Sequence, residues 1–195
     1  PPKAVLAAAD LAGIPLMVTP VQTSDAIEAI SDFLEDVLAP RVQLHGVLID
    51  VFSLGTLIVG DPGIGKSECA LDLVERGHRL VADDVVEVMR TGDNVLIGRF
   101  RPLLQHNIEI RGVGVIDVQG IFGIRGIRMQ KRVEVEVQLQ EWDDSADYER
   151  MGLENRYTEI LGVSIPQVIV PLFPGKNITV ISEVIALNFM LKTYG

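Results

Sequence analysis

One cysteine, Cys69, is all the thiol chemistry that the 195-residue chain carries. A single cysteine forms no internal disulfide and builds no cysteine metal cage. Cys69 therefore reads as a small buried hydrophobe, and a reducing cytoplasm is the expected compartment. Basic residues are also in short supply, 17 against 27 acidic ones, for a formal net charge of −10. That balance argues against a nucleic-acid backbone as the main partner. A phosphorylated or acidic substrate can still use a local basic patch. No apolar run approaches the length of a membrane span and no signal peptide is visible, so no membrane partner is expected. Internal repeats, coiled-coil heptads, zinc spacings and low-complexity tracts are missing too. There is no initiating methionine at Pro1, and the chain is read as an excised or processed piece with an N-terminal part missing.

What is present is enough apolar residue, 48% of the chain, for one substantial core and one domain with appendages. The most informative stretch is Thr56-Leu-Ile-Val followed by Gly60, Asp61, Pro62, Gly63, Ile64, Gly65, Lys66 and Ser67. This is the full G-x-x-x-x-G-K-[ST] pattern of a phosphate-binding loop, set between a strand and a helix as it must be. Its glycines let the backbone wrap so that N–H groups face phosphate oxygens, and the following helix adds its own unpaired N–H groups. Lys66 is placed to reach the outer phosphates and Ser67 to hold a magnesium ion.

Ahead of this loop, residues 14–18 read as a short strand. Thr23 or Ser24 is the expected cap of a helix from Asp25 to about Ala39, with Ile27, Ile30, Phe33, Leu34, Val37 and Leu38 on one stripe. Residues 42–51 read as a strand, with a turn near Ser53-Leu54-Gly55 before the loop strand. His45 on this hairpin has an ordinary structural reading on spacing alone. A helix from Ser67 to about Glu75 leads to the short strand Arg79–Ala82, which ends in Asp83-Asp84. A strand after such a helix commonly lies close to the loop strand and opens into the same crevice. One carboxylate there can take a proton from an attacking hydroxyl while the other binds magnesium.

Further on, a hairpin is expected over Val85–Met89 and Val95–Ile97. The glycines from Gly112 to Gly126 point to close packing around a site. Glu109, between Ile108 and Ile110, needs a cation if it is buried; the loop metal and Arg111 are the two candidates. Val133, Val135, Val137 and Leu139 alternate with Glu134, Glu136, Gln138 and Gln140, which reads as a half-exposed strand with a solvated glutamate face. From Trp142 to Gly162 the chain is polar and long enough for a lid, and its Arg150 can neutralise charge on a transferred phosphoryl group. A strand over Val163–Val170 and a helix from Ile178 to about Leu191, capped by Asn177, close the chain.

The Gly60–Glu68 loop, Ala82-Asp83-Asp84, and Glu109-Ile110-Arg111-Gly112-Val113-Gly114-Val115-Ile116 together resemble bacterial HPr kinase/phosphorylase. The chain is similar to its C-terminal catalytic domain: residues 1–40 resemble the end of an N-terminal domain and its connecting helix, and 41–195 the catalytic domain. The resemblance implies an α/β fold whose P-loop core is similar to the nucleotide-binding domain of phosphoenolpyruvate carboxykinase, with a hairpin before the P-loop strand. It implies a bifunctional enzyme. ATP or pyrophosphate, with Mg2+, would phosphorylate a serine of the phosphocarrier protein HPr, and inorganic phosphate would attack the phosphoserine to release pyrophosphate. A homohexamer under allosteric control is implied too. Matched by motif, Asp83 is the catalytic aspartate and Asp84 its acidic neighbour. Ser67 and Glu109 are magnesium-site residues, His45 lies near the phosphate, and Arg150 is the loop arginine important to activity. Lys176, in Gly175-Lys176-Asn177, stands where the family has arginine, which keeps the charge and loses a bidentate fork. Two other accounts remain open on the residues: a small-molecule kinase on the same loop, and a non-catalytic nucleotide sensor.

Overall fold

The computed structural model describes residues 1–92, 94–100, 106–142, 156–173 and 175–194. It divides into two compact units, Pro1–Ala39 and Pro40–Gly195.

The first unit holds two helices, α1 (Lys3–Ala12) and α2 (Thr23–Leu38). The alanine- and leucine-rich run of α1 has high helix propensity. It stops at Gly13, whose left-handed φ of 63° lets its N–H reach the carbonyl of Asp10. The strand expected over residues 14–18 does not form: Pro15 removes a donor, and the unit offers no strand to pair with. The side-chain cap expected from Thr23 or Ser24 is absent as well. Gln22 occupies the cap position, and the Ser24 hydroxyl donates to the Asp25 carboxylate at 3.0 Å instead. The apolar stripe of α2 is exposed.

The second unit is built on a six-stranded mixed sheet. Its strands are β2 (Val47–Val51), β3 (Leu54–Val59), β4 (Arg79–Ala82), β10 (Val135–Glu141), β11 (Arg156–Ile160) and β12 (Val163–Leu172), in the order β11-β12-β10-β3-β2-β4. β3, β10 and β12 run parallel, while β2 and β11 run against their neighbours. The hairpin before the loop strand forms as expected, but its turn is Phe52-Ser53, with φ of 50° and 70°. Two left-handed residues in a two-residue turn match the twist of a hairpin, and Leu54 and Gly55 fall inside β3. That tight turn obliges β2 to take the place beside β3. β4 is therefore not the neighbour of β3; it pairs antiparallel with β2, one place further out, and ends at the same edge of the sheet as β3.

The strand expected over residues 42–51 is in fact two. β1 (Arg41–His45) leaves the six-stranded sheet at Gly46 and joins a second, four-stranded one with β5 (Val85–Thr91), β6 (Val95–Arg99) and β9 (Gln130–Arg132), in the order β1-β5-β6-β9. A Cβ on Gly46 would come within 2.6 Å of the Ile58 carbonyl oxygen, so the corner requires glycine. The two sheets face each other across Leu48, Leu57, Val86, Val88, Leu96 and Ile165. On the other face lie α3 (Lys66–Glu75), α5 (Ile178–Tyr194), the hairpin β7 (Asn107–Ile110) and β8 (Gly114–Asp117), and the short helix α4 (Val118–Phe122). Helix α5 starts at an Asn177 cap, as expected, with Asn177 Oδ1 accepting from the Val180 N–H at 3.0 Å. Ile185 is buried on it, but Leu191 is 71% exposed rather than part of its core side.

This sandwich overturns the reading of β10. Val135, Val137 and Leu139 face the helices, so Glu136 faces the second sheet and is buried, not solvated. Glu136 accepts a hydrogen bond from the Gln167 side-chain amide at 2.7 Å. Glu134 accepts from the Gly55 N–H at 2.8 Å and pairs with Lys131 at 2.8 Å. Alternation marks two different faces but not what covers each. Of the five glycines from Gly112 to Gly126, Gly112, Gly114 and Gly123 have positive φ and open space and serve turns, while Gly120 and Gly126 are closely packed, a Cβ falling 2.5 Å from an Asp117 carboxylate oxygen and 2.8 Å from Phe122 Cβ. The expected lid is cut back by β11, which starts at Arg156 and pairs with β12. Its remainder, residues 143–155 with Arg150, lies outside the described residues.

Two stability outcomes follow from these contacts. A Cβ on Gly55 would fall on the carbonyl of Arg132, so Gly55→Ala is expected to lower unfolding stability by about 1–3 kcal/mol in denaturant titration. Burial, the larger influence, raises the pKa of Glu136 above the usual carboxylate range, and the Gln167 bond opposes it. The folded state thus holds this proton more tightly than the unfolded state. Glu136 costs stability once pH passes its raised folded pKa, and the cost vanishes below its unfolded pKa. Glu136→Gln keeps the acceptor for Gln167 and is expected to raise the melting temperature at pH 7 to 8, with the gain shrinking in acid.

Candidate active site

At the end of β3 the chain enters the loop Gly60–Gly65 and then α3. A Cβ on Gly60 would sit 2.7 Å from the Leu139 carbonyl oxygen, so only glycine lets the loop cross β10 this closely. The Lys66 ammonium turns back and donates to the carbonyls of Gly60 and Asp61, both at 2.9 Å, closing the loop on itself. Asp61, Pro62 and Gly63 are exposed, while Ile64, Gly65, Lys66 and Ser67 are half-buried. The eight loop residues thus form one continuous surface at the sheet edge where β4 also ends.

Asp83 meets this surface because of an irregularity in β4. The pairing with β2 shifts between Leu48↔Ala82 and Ile49↔Leu80, so Val81 is one residue too many. This bulge leaves both Val81 and Ala82 facing the second sheet. Asp83 is then turned to the helix face, where the Ser67 hydroxyl donates to its carboxylate at 2.9 and 3.1 Å. The Glu109 N–H adds a third contact at 3.3 Å. Asp83 is only 7% exposed. Burial pushes its pKa above the usual carboxylate range. The bonds from Ser67 and the backbone pull the other way, and the Asp84 charge adds to the rise.

Asp84 looks elsewhere. It has a left-handed φ of 63° and sits at the centre of a tight turn in which the Val85 N–H reaches the Asp83 carbonyl at 2.8 Å. The turn sends its side chain outward, 3.9 Å from His45 Nδ1, with both side chains largely exposed. The pairing of His45 with Val85 across β1 and β5, and the Gly46 N–H on the Asp84 carbonyl at 3.0 Å, hold them side by side. The structure therefore gathers Lys66, Ser67, Asp83 and the Glu109 backbone on one spot, with Asp84 and His45 as a separate outer pair. The Glu109 side chain is exposed, so it is not the buried charge that would demand a cation. Arg150 lies outside the described residues.

Sequence reasoning left out Arg111 as part of the loop. Its guanidinium stands over Gly63, with its nitrogens 3.0 and 3.1 Å from where a Cβ on Gly63 would be. The only sequence signal was an arginine at the turn of a glycine-rich hairpin, Ile110-Arg111-Gly112. Chemically, the spot offers a buried carboxylate with a raised pKa, a hydroxyl bonded to it, and two cations at a glycine-rich loop ahead of a helix. Such a set suits proton transfer beside a bound anion. Among the described residues, no group of three or more His, Cys, Asp or Glu side chains forms a metal cage. Nor is any described helix long and apolar enough to cross a membrane.

Comparison with known proteins adds the family. The model of the HPr Serine kinase C-terminal domain matches residues 36–195. An HPr kinase/phosphorylase of Prosthecochloris aestuarii is 53% identical over 183 residues, which are 94% of this chain and 54% of that protein. One of Geobacter sulfurreducens is 49% identical over 195 residues, all of this chain and 61% of that protein. The chain thus spans little more than half the length of these curated relatives. The solved structure of the Hpr(Ser) kinase/phosphatase from Coxiella burnetii superimposes with a TM-score of 0.72 at 32% identity, covering 78% of this chain and 92% of that one. The chain belongs to the HPr serine kinase C-terminal domain family.

Proposed function

We propose that the chain is the catalytic part of a cytoplasmic serine kinase/phosphorylase whose acceptor is the phosphocarrier protein HPr. The observation that carries the reading is the Asp83 carboxylate, buried and bonded to Ser67 at the first turn of the helix that follows the phosphate loop. Family membership supplies the acceptor, since the relatives are named for HPr. The loop Gly60–Ser67 takes the phosphates of ATP or pyrophosphate, in the manner of a P-loop and of the phosphoenolpyruvate carboxykinase nucleotide-binding domain.

A seryl hydroxyl is a weak nucleophile and needs a base at hydrogen-bond distance. Asp83 is that base. Its raised pKa makes the ionised carboxylate a stronger proton acceptor than an exposed aspartate. The Ser67 bond holds the carboxylate in place until substrate arrives. In the reverse direction the same carboxyl returns the proton to the serine oxygen as inorganic phosphate attacks the phosphoserine and pyrophosphate leaves. Lys66 and Arg111 face the charge on the phosphoryl group in both directions. Asp84 and His45 form the outer rim on which the acceptor's serine approaches. Arg150 has the role of a loop cation that neutralises transferred charge.

The donor set suits magnesium: a hydroxyl at Ser67 and a carboxylate at Glu109, with water and substrate phosphate completing the shell. Magnesium keeps several waters and needs no protein cage of three carboxylates. Bound there, the ion would offset phosphate charge. A homohexamer with allosteric control is part of the same reading.

Intact-protein mass spectrometry of HPr incubated with this chain, ATP and magnesium tests the proposal. A seryl phosphate is expected, followed by its loss and by pyrophosphate release when phosphate replaces ATP. Tight ATP binding with no transfer would favour a nucleotide sensor, and transfer to a small hydroxyl metabolite alone would favour a small-molecule kinase. Asp83→Asn is expected to slow transfer by about 10²–10⁴-fold with ATP affinity changed little, because a general base contributes about that much. The acid limb of the pH–rate profile should lie above the range of an ordinary aspartate, since the base must be ionised and its pKa is raised. A profile that stays flat down to the ordinary aspartate range would remove Asp83 from that role.

A further inference from the structure

The hairpin β7–β8 has one dry face and one wet face. Ile108 pairs with Ile116, and both pack into the core on the helix side of the large sheet. The opposite face carries Glu109 and Val115, which pair directly across the two strands. The Glu109 N–H goes to the Asp83 carboxylate rather than to β8. Glu109 and Val115 are therefore a non-hydrogen-bonded pair, with Cα atoms about 4.5 Å apart and side chains close together. Val115 thus stands within about 10 Å of the Asp83 carboxylate.

This wet face is unexpectedly apolar. Val115 is 70% exposed, and Val113, at the tip of the hairpin, is 74% exposed. The tip stands clear of the rest of the unit, since Gly112 and Gly114 have open space around them. Strand propensity accounts for a valine at 115 but not at 113, in a turn where glycine and polar residues prevail. Two more exposed apolar side chains follow, Ile121 on α4 and Ile124 just beyond it. Apolar residues scattered singly over a surface need no explanation. Four of them between residues 113 and 124, beside the candidate site, mark a surface that another molecule covers.

The position of Asp83 says which molecule that is. A specific protein–protein interface covers about 800 Å² on each partner, which extends roughly 15 Å from its centre in every direction. A protein whose serine lies at Asp83 therefore spreads over Val115 and the hairpin tip. Glu109, Asp84 and His45 are exposed around the same approach and give the apolar spot a polar rim, the usual anatomy of an interface. We infer that the outward side of this hairpin is the docking surface of the acceptor, with Val113 and Val115 seating apolar side chains that flank its serine. The inference rests on the acceptor reading above and adds the residues by which this chain selects a protein over a small hydroxyl compound.

Steady-state transfer from ATP to HPr tests it, with ATP affinity by calorimetry and molecular mass by light scattering measured alongside. The double variant Val113→Ser, Val115→Thr removes the apolar surface and keeps the branched shape at 115. It is expected to raise the KM for HPr about tenfold, since each buried methyl group is worth roughly a factor of four. Its kcat should stay within about twofold, as for a loss of uniform binding. Unchanged ATP affinity and mass would show that it has folded and assembled as the wild type does. The apolar double variant Val113→Ile, Val115→Ile should keep the wild-type KM. An unchanged KM in the polar variant, whether or not kcat falls, overturns the docking surface. An equal rise in both variants also overturns it, because apolar contact would then not be what matters. So does a KM rise that comes only with a change in mass, which would make the face an interface between copies of the chain. If the wild-type chain transfers no phosphate to HPr, the acceptor reading itself fails and this inference falls with it.

Discussion

The hydrogen bond between the Ser67 hydroxyl and the Asp83 carboxylate is the contact on which the arrangement of this site depends. A carboxylate that is nearly out of water persists only if its oxygens are satisfied. Ser67 and the Glu109 N–H do so from two different elements, the helix after the loop and the hairpin β7–β8. Loop, helix, β4 and hairpin are thereby fixed to one another at the edge of the sheet. Burial keeps the carboxyl pKa high against the pull of these bonds, so the contact fixes the geometry of the group while desolvation sets its basicity.

A single extra residue makes the contact possible. Without the bulge at Val81, regular alternation would direct Asp83 toward the second sheet, away from Ser67. With it, Val81 and Ala82 both pack into the layer between the sheets and Asp83 emerges on the helix face. The turn at Asp84 then ends the strand at once and sends the next carboxylate outward to His45. Two adjacent aspartates thus have different surroundings, one dry and bonded, one wet.

The sandwich of two sheets shapes the rest. Packing a four-stranded sheet against the six-stranded one dries a face that alternation alone makes look solvated. The result is a buried Glu136, matched by Gln167 across the parallel pair β10–β12. The corner at Gly46 lets the chain pass from one sheet to the other just before it reaches the phosphate loop. It brings His45, from the second sheet, to an edge defined by the first.

Local signals were sufficient for several elements set by local physics, though not for the cap of α2, where Gln22 stands in place of Thr23 or Ser24. The glycine pattern from Gly60 to Gly65, the helix behind it, the hairpin ahead of it, the Asn177 cap and the strand β12 could all be read from spacing and composition. Backbone sterics and capping act over a few residues. The combined motifs also mark the family in the order of residues alone. The tertiary structure alone decided which of Asp83 and Asp84 is buried, because a bulge is set by pairing with β2 and leaves no mark in the order of residues. It alone put Arg111 over Gly63 and Glu136 between sheets, since both depend on elements distant in sequence meeting in space. Periodicity tells which residues share a face; only packing tells what that face meets.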